Sequence, residues 1–179
     1  MARIHTGGEA CSAPGPGPPW ANMRSAADLG HLRRAIELAL EAERAGNMPI
    51  GAVLVLEDHI VAEGANASLV PEYHPGKHAE MVALAQVPAA LWPRASEMSC
   101  YSTLEPCLMC MSSLLLHGVG RVVYGARDDE GGAEYLTRHL PEYYQDHPRG
   151  LEVVGPLLEA ECRPMYERAR DRFRALPCA

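Results

Sequence analysis

The chain has 179 residues, enough for one domain with one sizeable core, and 47 % of them are hydrophobic, as in ordinary soluble globular proteins. A net charge of −7 and a single lysine, Lys77, argue against a general nucleic-acid binder, and no apolar run approaches the roughly 20 residues that span a bilayer. The N-terminal stretch lacks the apolar stretch of a secretory signal, so the expected location is the cytoplasm, where six cysteines serve as thiols or metal ligands rather than as a disulfide framework.

Residues 1–27 are rich in Gly, Pro, Ala and Ser and read as a disordered tail, with Met23 as an alternative start and 28–179 as the domain. A helix is expected from Asp28, as N-cap, to the Gly46 stop, with Leu29, Leu32, Ile36, Ala39 and Leu40 on its buried stripe. The apolar run 50–56 is a central strand, 57–59 a turn and 60–65 the returning strand of a hairpin. A short helix follows over 77–87, then a strand over 97–104. The helix over 107–118 is apolar nearly all round and is expected to be buried on more than one side. A strand over 119–126, an ambiguous segment over 131–150, a last strand over 151–155 and a closing helix over 159–176 complete the chain. Pro164 should sit in that helix's first turn or kink it. A hairpin followed by alternating helices and strands predicts an α/β fold, a mixed sheet with helices on both faces.

Two short motifs carry the chemistry. In PCLMC, Cys107 and Cys110 are three apart and share one side of a helix start, Pro106 suits the entry, and the helix N-terminus favours thiolates. Upstream, His78-Ala79-Glu80 opens another predicted helix. One imidazole and two thiolates make three ligands, where a structural zinc site normally has four, so one corner is left for water. Glu80, two residues from His78, is placed to move that water's protons rather than to bind the ion. The competing reading is a purely structural zinc site, which would not need Glu80.

The set His78-x-Glu80 with Pro106-Cys107-x-x-Cys110 resembles the signature of the zinc-dependent nucleobase and nucleotide deaminases. The resemblance covers roughly residues 28–175. It is strongest to the branch of the cytidine/deoxycytidylate deaminase superfamily that holds the bacterial tRNA adenosine deaminase, bacterial guanine deaminase and fungal cytosine deaminase. PIGAVLV, HAEMVAL, STLEPCLMC and GRVVYGARD are the similar segments. The resemblance implies a three-layer α/β/α sandwich with a five-stranded mixed sheet, and a homodimer. It also implies zinc on His78, Cys107 and Cys110, with Glu80 as the proton shuttle. The backbone at Ala79 would meet developing charge, and Asn66 and Asp128 would lie near the substrate. Glu105 is a further candidate, or an acceptor for nearby backbone N–H groups.

Beyond Asp128 the chain departs from the tRNA enzymes: an acidic, tyrosine-rich stretch offers Tyr135, Tyr143 and Tyr144 as stacking residues in a lid. The arginines of the closing helix, Arg163, Arg168, Arg170, Arg172 and Arg174, alternate with acids, which marks a face with internal ion pairs more than an RNA surface. The expected reaction is therefore hydrolytic deamination of an aminated nucleobase or nucleoside, with release of ammonia. One alternative is adenosine-to-inosine deamination in tRNA. An alternative of another class is a non-catalytic, zinc-stabilised partner subunit.

Overall fold

The structure is a computed structural model of the chain and describes residues 19–140, 142 and 151–176. The expected tail up to residue 18, and Cys11 and Cys178, lie outside the described residues. Helix α1 spans Pro19–Arg44, strand β1 Gly51–Leu56, β2 His59–Ala65, and helix α2 Ala79–Gln86. A 3-10 segment covers Ala89–Glu97. Strand β3 (Ser99–Leu104), helix α3 (Leu108–Leu116) and strand β4 (Arg121–Ala126) follow. A 3-10 turn at Glu134–Arg138, strand β5 (Glu152–Val154) and helix α4 (Glu159–Arg174) close the fold.

The five strands form one sheet in the order β2-β1-β3-β4-β5. β1 runs antiparallel to both β2 and β3, whereas β3–β4 and β4–β5 are parallel. Each parallel step needs a crossover, and α3 supplies the one from β3 to β4. The hairpin turns on Glu57 and Asp58, both at positive φ (52° and 63°), the two-residue geometry that matches strand twist. All six residues of β1 are buried, as a strand covered on both faces requires. Against one face, Ala83 and Leu84 of α2 and Met111 and Leu114 of α3 pack on Leu54, Cys100 and Val122. Against the other, α1 packs Leu32 and Leu38 on Val53, Val55, Tyr101 and Val123, and α4 adds Cys162 and Met165 beside Ala126. The expected three-layer α/β/α sandwich is what the chain adopts.

Three local expectations are corrected. Asp28 does not cap α1, which starts at Pro19 and includes residues 19–27 that the composition assigned to the tail. The carboxylate instead faces the sheet: Oδ1 accepts the Tyr101 hydroxyl at 2.7 Å and an Arg121 N–H at 2.7 Å, and Oδ2 accepts a second Arg121 N–H at 2.9 Å. The buried stripe of α1 runs through Asp28, Leu32, Ala35, Leu38, Ala39 and Ala42, and Leu40 is exposed. Second, α4 continues through Pro164 in its second turn rather than holding it in its first. Third, α3 buries Cys110, Met111, Leu114 and Leu115 but leaves Leu108 55 % and Leu116 60 % exposed, so within one chain its outer side is uncovered.

Gly64 sets where α2 begins. A Cβ there would lie 2.0 Å from the Ala79 carbonyl oxygen, so only glycine lets the first turn of α2 touch the backbone of β2. That turn carries His78 and Glu80.

Candidate active site

The two motifs meet at the starts of α2 and α3. His78 is the N-cap of α2 and Cys107 the N-cap of α3, both with extended backbone and neither spending its side chain on capping. Pro106 therefore lies one residue before the cap instead of on the helix's first turn. Both side chains are left free to point at each other: Cys107 Sγ is 3.5 Å and Cys110 Sγ 3.6 Å from His78 Nδ1. These three ligand atoms lie within 4.8 Å of one another and form the one such cluster among the described residues. Separations near 3.5 Å are those of donors sharing a tetrahedral zinc at about 2.0–2.3 Å each. The donor set thus fits zinc, with three protein ligands and one corner left over.

The three side chains are electrostatically coupled. The two thiols share one proton: Cys107 is lowered to about 4, first because the Cys110 thiol donates to it and then through His78, while Cys110, as donor, is raised. His78 is raised, chiefly by its bond to Cys107. Cys107 is thus the negative member of the trio, and Cys110 and His78 hold their protons against it.

Glu80 is 3 % exposed. Burial raises its pKa, the Cys107 charge adds to that, and a hydrogen bond donated by Ser102 Oγ to Oε1 at 2.7 Å opposes it. Glu80 lines a cavity of about 340 Å³ together with His78 and Cys107. Met48, Ile50 and Leu104 make its apolar wall, and Asp128, Glu130 and Gly131 form a second side. Helix α4 closes the third with Tyr166, Arg170 and Phe173.

The remaining expected residues fall into distinct places. Ala79 is buried at the first position of α2, where a backbone N–H has no acceptor within its own helix. Asn66 is 2 % exposed; its Oδ1 accepts from the Ser68 N–H and hydroxyl, and its Nδ2 is buried with no hydrogen-bond partner. It sits beside the cavity through its N–H bond to Ile50 O. Asp128 reaches the cavity while its Oδ1 accepts the N–H groups of Glu130 and Gly131, which fixes the loop. Glu105 organises that loop from below: Oε2 accepts the Asp128 N–H and Oε1 the Glu134 N–H. Gly132 lies so close that a Cβ would stand 2.4 Å from the Glu105 carboxyl carbon. Tyr135 is 54 % exposed on the 3-10 turn and is not among the residues lining the cavity, because α4 supplies that wall. Tyr143 and Tyr144 lie outside the described residues.

Sequence reasoning missed Ser102 and the wall from α4. Ser102 had a signal: alternation in β3 puts it on the same face as Cys100 and Leu104, where a polar residue needs a buried partner. The α4 wall had none, since it depends on how the last helix packs. The α4 arginines are paired as the alternation implied, but mostly with other elements. Arg168 binds Glu43 of α1, Arg174 binds Glu130, Arg163 binds Glu159 and Asp129, and Arg172 donates to the Asn47 carbonyl.

A hydrolase that works with zinc is the class this fold and donor set define. Comparison with known proteins narrows it. The Cytidine and deoxycytidylate deaminase zinc-binding region matches residues 26–126. The tRNA-specific adenosine deaminase of Haemophilus influenzae is 39 % identical over 145 residues, covering 79 % of this chain and 82 % of that protein. A tRNA(Ile)-lysidine synthase of Thermus thermophilus is 41 % identical over 150 residues, 81 % of this chain but 26 % of that protein. A solved structure described in studies of A-to-I editing by tRNA:A34 deaminases superposes with a TM-score of 0.60 at 28 % identity, covering 76 % of this chain and 99 % of that one. The chain belongs to the cytidine and deoxycytidylate deaminase zinc-binding family and is a zinc-dependent deaminase, a hydrolase acting on C–N bonds.

Proposed function

We propose that His78, Cys107 and Cys110 hold the zinc and that Glu80 carries the protons for hydrolytic deamination of an aminated nucleobase or nucleoside. Bound there, zinc supplies the Lewis acidity that makes water a nucleophile near neutral pH. Two thiolates cancel its formal charge, so a strong proton acceptor beside it matters more than with neutral imidazoles. Glu80 takes a proton from the attacking water and passes it to a ring nitrogen as the C–O bond forms at the amine-bearing carbon. It then moves the remaining hydroxyl proton to the amine. The C–N bond breaks, a carbonyl forms and ammonia leaves. Backbone N–H groups at Ala79 and Cys107 offset developing negative charge. The unpartnered Nδ2 of Asn66 supports a hydrogen bond to an acceptor on the base, and Asp128 supports an orienting contact.

The carrying observation for a small substrate is the rim. Arg170 is the α4 arginine that lines the cavity, beside the acidic Glu105, Asp128 and Glu130, while Arg163, Arg168 and Arg174 elsewhere on that helix are engaged by Asp129, Glu159, Glu43 and Glu130. A phosphate backbone would have to displace these pairs. The second reading, adenosine in a tRNA anticodon loop, is favoured by the 39 % identity to a tRNA-specific adenosine deaminase. Ammonia release from guanine, cytosine, adenine and their nucleosides is the test, run beside inosine formation in an anticodon stem-loop at several salt concentrations. Turnover of a free base or nucleoside is expected. Activity confined to the stem-loop, falling steeply with salt, establishes the second reading instead, and silence in both promotes a non-catalytic partner subunit.

The exposed Leu108 and Leu116 on one side of α3 support a homodimer through that helix. Sedimentation is expected to give twice the 19.4 kDa chain mass and to return to the chain mass in Leu116→Glu. A wild-type monomer ends this reading. Among the described residues no helix is long and apolar enough to cross a membrane, in keeping with the proposed cytoplasmic location.

A further inference from the structure

Ser102 is fully buried in the middle of the sheet, paired in register with Ala52 of β1 and Tyr124 of β4. Strand alternation puts its side chain on the face toward α2 and α3, between Cys100, which packs in the apolar core, and Leu104, which lines the cavity. A hydroxyl on such a face needs a partner. The partner is Glu80: Ser102 Oγ donates to Oε1 at 2.7 Å. The same oxygen lies 3.5 Å from the Leu104 N–H, which points toward its lone pairs and leaves its own hydrogen for the carboxylate. Thr103, the next residue, accepts the N–H of Gly51, at the start of β1, at 3.2 Å.

We propose that Ser102 is a positioning residue for proton transfer. Its hydroxyl holds Glu80 Oε1 and fixes the plane of the carboxylate, so that Oε2 is presented to the cavity in one orientation. The inference rests on the reading of Glu80 as the proton carrier. Ser102 touches neither the substrate nor the three zinc ligands and acts through Glu80 alone. Carboxylates have a freely turning terminal torsion. This one has its own backbone N–H and Cys110 beside it, and β3 is the rigid element that holds it from the sheet side through Ser102.

The test uses the zinc-loaded full chain and three substitutions. Ser102→Ala is expected to lower kcat about 10- to 100-fold with KM changed less than about threefold, the pattern of a displaced reacting group. Zinc content should stay at the wild-type value and the melting temperature should fall by only several degrees, the cost of a buried acceptor left without its donor, and a crystal structure of the variant should show the Glu80 carboxylate turned or split between two orientations. Ser102→Thr, which keeps the hydroxyl, should restore kcat; Ser102→Val, of similar shape without it, should not. An unchanged kcat in Ser102→Ala overturns the proposal, as does loss of zinc or of the fold that Thr and Val repair equally. Should the wild-type chain release no ammonia from any substrate, the proposed function fails separately. Ser102 is then judged by the variant crystal structure alone, where an unmoved, single Glu80 orientation overturns the proposal.

Discussion

Glu80→Ala is expected to keep a full complement of zinc and to lose turnover by about 10²- to 10⁴-fold, the range a positioned proton carrier contributes. The reason lies in the division of labour at the two helix starts. In the proposed site zinc affinity rests on His78, Cys107 and Cys110, whose three donor atoms converge. The carboxylate lies beside that cluster on the wall of the cavity, bonded to Ser102 and next to Cys110. Removing it leaves Ser102 without an acceptor, which costs some stability, but leaves the ligand geometry in place. Metal analysis and steady-state kinetics on the same preparation decide the matter. A zinc-free variant would make Glu80 part of the metal framework, and retained turnover would move the proton work to another group.

Asp28→Ala should behave in the opposite way, destabilising the fold by about 3 kcal/mol while leaving kcat nearly unchanged. Asp28 and Arg121 form a buried, bidentate pair with Tyr101 as a third partner, at 2.7 and 2.9 Å. Arg121 opens β4 and Tyr101 is near the start of β3. Cys107 and Cys110 of the proposed zinc site follow the far end of β3, so the two regions are separated by the length of that strand. Deleting the carboxylate leaves a guanidinium that is only 16 % exposed with the exposed Glu152 as its remaining carboxylate partner. Acid should reveal the same pair. Burial raises the Asp28 pKa, but the bonds from Arg121 and Tyr101 outweigh it and the net shift is downward. A carboxyl depressed in the folded state adds stability above its unfolded value near 3.9 and loses it as pH falls through the folded value. The stability gap between wild type and Asp28→Ala, read by urea unfolding, should thus be full at pH 7 and shrink well below pH 4. A gap independent of pH would mean that the loss is one of packing rather than charge.

Much of the site was legible before any coordinates because its chemistry is local in the chain. His78 and Glu80 are two residues apart, Cys107 and Cys110 three apart, and each pair sits where a helix begins, so local rules bring each half together. The hairpin was legible for the same reason: an apolar run, a short polar turn and a second run are neighbours in sequence. The N-terminal boundary was not. Asp28 has the chemistry of a cap, and only the distant Arg121 and Tyr101 reveal that its carboxylate is needed in the interior.

What the sequence determined by itself was the two halves of the site, His78 with Glu80 and Cys107 with Cys110, and, through their resemblance to a known signature, the kind of reaction. What only the tertiary structure decided was the shape around them. Glycine at position 64 lets α2 approach β2, Ser102 reaches Glu80 from the sheet, and α4, more than fifty residues beyond the cysteines, swings back to wall the cavity with Tyr166, Arg170 and Phe173. Such contacts join segments far apart in the chain. Their geometry comes from packing of layers across a common sheet, for which spacing within a motif carries no information.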